Sequence, residues 1–293
     1  MRRLRSPVLW FFVFTYALQG VGCFVQIFAL RRHLHYYWMP YALYVMGPSL
    51  VGLLMTLWLY GRPGIRRLAF QLSPCSVGRT WPVLAVCLLL PLGVIVLPIA
   101  ILAALGASVP PPEWPGPAYL YGAVIGGGFL GPGLFEEIGW RGFALPHLQR
   151  RHSALVSSLI IGLVWAVWHF PNFVIPSDPS PWWHLLALVA LMVAVSLLFT
   201  WVYNSTGGSL FAVVLLHGAV FTALGLCPSP DAGVAAREDV IFMLLFAVIA
   251  VGVVWRYGAA NLSWRDRVVD EPNGGPGTPS GNPGVAEGPP SVI

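Results

Sequence analysis

Apolar residues run along this chain in long blocks. Eight of them come near the roughly 20 residues that an α-helix needs to cross a bilayer: about 7–30, 39–60, 81–105, 118–147, 153–175, 182–203, 208–226 and 239–257. The pattern predicts an all-α fold, a polytopic transmembrane bundle of about eight helices. The first block follows "MRRLRS" as a signal peptide would. It is too long for a signal-peptide core and no A-x-A site closes it, so it is expected to stay as an anchor.

The polar breaks between blocks set the expected topology. With the N-terminus inside, the cytoplasmic segments hold Arg2, Arg3, Arg5, Arg62, Arg66, Arg67, Arg79, Arg150, Arg151, Arg256, Arg265 and Arg267, and the outer loops hold Arg31, Arg32 and Arg237. Twelve against three places both termini in the cytoplasm of a multi-pass cell-membrane protein. Beyond Asp270 the chain reads "EPNGGPGTPSGNPGVAEGPPSVI", where Pro and Gly dominate and almost nothing large and apolar can be buried, so a disordered tail is expected. The expected organisation is residues 1–117 for the first three helices, 118–226 for a core of four helices, 227–269 for a loop and the eighth helix, and 270–293 for the tail. No internal repeat of the transporter kind is visible.

Composition narrows the function classes. The 293 residues are 57% hydrophobic and 9% charged, with a mean hydropathy of +0.74, against about 25% charged in an ordinary soluble domain. The net charge of +5 comes from arginines clustered between apolar runs, so it reports orientation in the bilayer, and no nucleic-acid partner is expected. Cys23, Cys75, Cys87 and Cys227 are widely spaced, which indicates neither a disulfide framework nor a thiolate metal site.

Against this background five ionisable residues stand out within apolar helices: Glu136, Glu137, Arg141, His169 and His217. Such residues are costly in a bilayer, and each calls for a partner and a role. Neighbouring residues on a helix point about 100° apart, so Glu136 and Glu137 cannot face one partner. Glu137 and Arg141 are spaced i,i+4 and suit an ion pair on one face. Glu136 is then left as a carboxylate without a countercharge in a low-dielectric site, the kind suited to general-base work near neutral pH. Glu136 is therefore the catalytic candidate, with Glu137 and Arg141 as structural support.

Depth brings the histidines in. Counting from a turn near Arg151, Glu136 lies fifteen residues before it and His169 eighteen after, a difference of about 5 Å in depth at 1.5 Å per residue. Pro171 loosens the backbone just beyond His169. His217 enters from the same side about nine residues into the seventh helix, so the three groups are expected to converge. The remaining histidines, His33, His35, His147, His152 and His184, flank basic loops or the interfacial aromatic belt and read as unremarkable.

"EEIGWR" (Glu136 to Arg141), "WAVWH" (Trp165 to His169) and "NSTGGSLFAVVLLH" (Asn204 to His217), in this order on three apolar helices, resemble the CPBP family. These are intramembrane proteases related to type II CAAX prenyl endopeptidases, also called the abortive-infection family. The resemblance covers about residues 118–226. It implies an intramembrane peptidase in which Glu136 activates water, His169 assists and His217 stabilises the oxyanion, acting on a membrane-embedded or lipidated peptide. It leaves the cofactor open. The three side chains are zinc-ligand types, and a divalent metal such as zinc would be held by Glu136, His169 and His217; the resemblance to the prenyl endopeptidases implies a metal-free route.

Two positions depart from the family pattern. Trp165 stands where the second motif carries phenylalanine, an apolar exchange expected to be tolerated. Phe221 stands where the third motif carries asparagine, and losing one oxyanion donor typically costs about 10²–10³ in rate. The alternative reading is accordingly a non-catalytic family member that acts as a membrane binding or immunity protein. A bis-histidine haem site on His169 and His217 is a third reading, in which Glu136 would have no role.

Overall fold

The computed structural model describes residues 6–31, 38–106, 131–171, 182–225 and 232–269, and these are helices and short connections with no strand among them. In chain order they are α1 (Pro7–Arg31), α2 (Trp38–Gln71), a 3-10 turn (Pro74–Thr80) and α3 (Pro82–Ala104). Next come α4 (Leu134–Gly139), a π-helical turn (Trp140–Ala144) and α5 (Leu145–Gln149), which run on as one rod. The chain continues with α6 (Ala154–Trp168), α7 (Trp182–Ser205), α8 (Leu210–Gly225) and α9 (Ala232–Asn261). The protein is an all-α membrane helix bundle.

Three of these helices are long and apolar enough to cross a membrane by length and composition: Pro7–Phe28, Leu185–Ser205 and Val240–Asn261. The other predicted blocks are also helical where described, but they depart from simple spans. The α4–α5 rod carries three charged groups, and α6 is a short apolar helix. α6 stops at Trp168 rather than running to 175, because Pro171 offers no N–H and disfavours a helical residue before it. α2 continues past its predicted end at 60 to Gln71, crossing a kink at Gly61, whose φ of 62° is open to glycine at little cost. The first half of the predicted fourth helix, residues 118–130, and the expected disordered tail, 270–293, lie outside the described residues.

Packing places the α4–α5 rod at the centre. α2 lies along both α1 and α4, α7 lies along α6, α8 and α9, and α8 also packs on α3. Lipid offers apolar side chains no hydrophobic incentive to associate, so close backbone contact between small residues takes over. A Cβ on Gly52 of α2 would sit 2.9 Å from the Cα of Gly139, and one on Gly139 would collide with the Pro48 carbonyl. On the other side, a Cβ on Gly162 of α6 would sit 2.7 Å from the Cα of Val193 in α7. These two crossings clamp α4, which carries Glu136 and Glu137, to α2, and α6, which His169 caps, to α7.

Candidate active site

The rod begins the site. Glu136 and Glu137 lie in its first helical stretch and Arg141 in its π turn, and all three side chains are buried. A π turn widens the helix by one residue and is frequent at functional sites. Here it falls between the second glutamate and the last turn of the rod.

Arg141 spans i,i+4 to Glu137 and its Nη1 donates to both carboxylate oxygens, at 2.9 Å to Oε1 and 3.0 Å to Oε2. Its Nη2 donates to the Ser196 hydroxyl at 3.2 Å, and Ser196 in turn donates to the Ser158 carbonyl at 3.0 Å. The guanidinium lies 5.0 Å from the Trp165 ring centre and 4.9 Å from that of Phe199, two cation–π contacts that offset part of its desolvation. A charge held in this way is neutralised and fixed from three helices, α6, α7 and its own.

His217, from α8, takes Glu137 as its carboxylate partner, with Nδ1 2.8 Å from Oε1. The expected convergence had it beside Glu136; the structure gives its hydrogen bond to the adjacent glutamate. The rotation of α8 about its axis decides which carboxylate it meets, and that rotation is set by packing on α3 and α7, which no spacing in the sequence encodes. Because Arg141 already holds the carboxylate as an acceptor, Nδ1 donates and Nε2 is the nitrogen left for another partner. The imidazole lies between aromatic neighbours, 5.4 Å from the Trp165 ring and 5.3 Å from Phe199.

Glu136 meets a neutral group. The Trp165 indole Nε1–H donates to its Oε2 at 2.7 Å. His169, one turn after Trp165, closes α6: its Nδ1 lies 2.9 Å from the Trp165 carbonyl, which also accepts its backbone N–H at 3.2 Å. A carbonyl oxygen only accepts, so His169 Nδ1 carries the proton and Nε2 is its free nitrogen. Trp165 thus touches Glu136, Arg141, His169 and His217 through its indole N–H, its ring or its carbonyl.

Ser196, Phe199 and the donor role of Trp165 were not singled out in the sequence. A serine inside "LMVAVSLLF" was the available signal for the first, since a hydroxyl in an apolar span needs a partner. His147 was read as a loop-flanking residue and is instead buried. Its Nδ1 lies 2.6 Å from the Phe143 carbonyl and its Nε2 2.8 Å from the Tyr60 hydroxyl, because the rod runs on to Gln149 and carries it inside. The Phe221 side chain, which bears on the missing asparagine, lies outside the described residues, as do those of His33, His35 and His184.

Nδ1 of both histidines is committed, which leaves Nε2 on each for a further partner, and among the described residues no three His, Cys, Asp or Glu side chains come together as ligands. No step below is routed through a metal ion.

Comparison with known proteins bears on the same stretch. Residues 118–222 match the family model described as type II CAAX prenyl endopeptidase Rce1-like. The chain is also similar, at 25% identity over 122 residues, to a protein named CAAX prenyl protease 2 from Methanococcus maripaludis. That match takes in 39% of this chain and 45% of the relative, so the chain spans under half the length of the relative it matches. The family match runs through all three motifs, from Glu136 to His217.

Proposed function

We propose that this protein is an intramembrane endopeptidase that hydrolyses a peptide bond of a lipidated or membrane-inserted polypeptide, with Glu136 as the general base. The observation that carries the reading is the difference between two adjacent buried carboxylates. Glu137 is matched by a guanidinium and an imidazole, whereas Glu136 accepts from a neutral indole. Two titratable groups with such different surroundings are how one fold divides structural and catalytic work.

In the reaction, Glu136 takes a proton from water while the oxygen attacks the carbonyl carbon. His217, its Nδ1 held by Glu137, faces the developing oxyanion through Nε2, and a donor there counts for more where bulk water is excluded. His169, neutral with its proton on Nδ1, orients water or the amine through Nε2. The proton held by Glu136 then passes to the departing amine, giving one carboxylate product and one amine. The name of the Methanococcus relative makes a prenylated C-terminal peptide the first substrate class to try.

The test is cleavage of a farnesylated, internally quenched peptide by the full chain in lipid nanodiscs. Glu136→Gln and His169→Ala are each expected to abolish turnover with the melting temperature kept. Unchanged cleavage in both variants would sink the mechanism. Phe221 favours a second reading, a non-catalytic protein that binds and neutralises a partner. That reading expects Glu136→Gln to leave the cellular phenotype intact.

A further inference from the structure

We infer that Trp165 is a positioning residue for Glu136, its indole N–H holding the carboxylate in the orientation from which it takes a proton. The inference rests on the proteolytic reading above and adds a residue to it. Phenylalanine at this place would offer a ring without a donor; tryptophan supplies a hydrogen bond as well as ring area. The added N–H reaches Glu136 Oε2 at 2.7 Å, a length typical of a bond to a charged acceptor.

The geometry around the indole keeps it aimed. Trp165 is buried, in the last turn of α6. Its ring is packed by the Arg141 guanidinium at 5.0 Å, by Phe199 at 5.9 Å between ring centres and by His217 at 5.4 Å. α6 itself is braced from α1, where the Tyr16 hydroxyl donates to the Val164 carbonyl at 2.6 Å and the Gln19 amide donates to the Trp168 carbonyl. A ring held from several sides has one rotamer available, so its N–H points at one place. A donor on Oε2 restricts rotation of the carboxylate about its last torsion. Misplacement of a base by even 1 Å is costly in rate.

Two measurements on the full chain in nanodiscs test this. The first replaces Trp165 by 3-benzothienylalanine, which keeps ring size and exchanges N–H for sulfur, and in parallel by phenylalanine. The expected result is a fall in kcat of about ten- to a hundredfold, the worth of one hydrogen bond to a charged group, with KM unchanged. Unchanged kcat in the benzothienyl variant overturns the proposal even if Trp165→Phe is poorly folded. The second follows the indole ¹⁵N–¹H resonance of Trp165, assigned by its loss in Trp165→Phe. It is expected to move on Glu136→Ala, and a resonance that stays put overturns the hydrogen bond itself. If the wild type shows no Glu136-dependent turnover while the resonance moves, the proteolytic reading has failed and the positioning role falls with it, although the bond stands.

Discussion

At the residue scale, the account turns on which charges are matched and by what. Arg141 and Glu137 are both buried, and removing one partner strands the other in low dielectric, so Arg141→Met or Glu137→Leu alone is expected to cost about 3–5 kcal/mol. The check is thermal unfolding of the purified protein in detergent, with the double variant recovering much of the loss. If each single variant melts like the wild type, the pair is not the anchor of the cluster. The Glu137–Arg141 pairing was legible from the sequence because i,i+4 spacing within one rod is local information. The choice of Glu137 by His217, the Ser196 contact and the indole bond were not, because each depends on how a different helix is rotated. Reading Trp165 as an apolar exchange counted its ring and overlooked its donor.

At the element scale, the two glycine crossings hold the rod and α6 at the distance the cluster needs. Gly139→Ala has no room against the Pro48 carbonyl and Gly162→Ala none against Val193. Overpacking of this kind costs about 1–3 kcal/mol, and either variant is expected to lower the unfolding temperature. Gly93→Ala, where a Cβ meets nothing within 4 Å, is the control that should be silent. Hydropathy alone revealed where helices lie, since long apolar blocks in a bilayer have few other ways to satisfy their backbones. It missed the π turn at Trp140–Ala144 and the extension of α2 beyond Gly61. A change of helical pitch leaves no trace in average hydrophobicity, and "YGRPGIRR" reads as a loop by composition.

At the scale of the whole molecule, the end of the described chain is tied back to the core. Gln149 and Asn204 exchange side-chain hydrogen bonds at 3.1 and 2.8 Å, the Val268 N–H donates to Asn204 Oδ1 at 3.2 Å and Arg267 Nε to the Gln149 carbonyl at 3.0 Å. Asn204 lies in the "NSTGG" stretch at the end of α7, so this clasp joins α5, α7 and the segment after α9. Asn204→Ala leaves buried partners unmet and is expected to speed hydrogen exchange over residues 262–269 before the core opens; unchanged exchange there would contradict the clasp. Orientation in the bilayer is a proposal from arginine placement, and exposed Cys75, between α2 and α3, is its reporter. With the other cysteines replaced by serine, an impermeant maleimide should label Cys75 in inside-out vesicles and not in intact cells. Labelling of intact cells would invert the topology.

The central claim is that Glu136 acts as a base in peptide hydrolysis, and mass spectrometry of membrane-associated peptides from the native host, comparing wild type with Glu136→Gln, tests it most directly. The account predicts at least one fragment that appears only when Glu136 is present, ending at a discrete cut site near a lipid attachment or a membrane segment. Identical peptide sets, with both proteins present at equal level and folded, would contradict it.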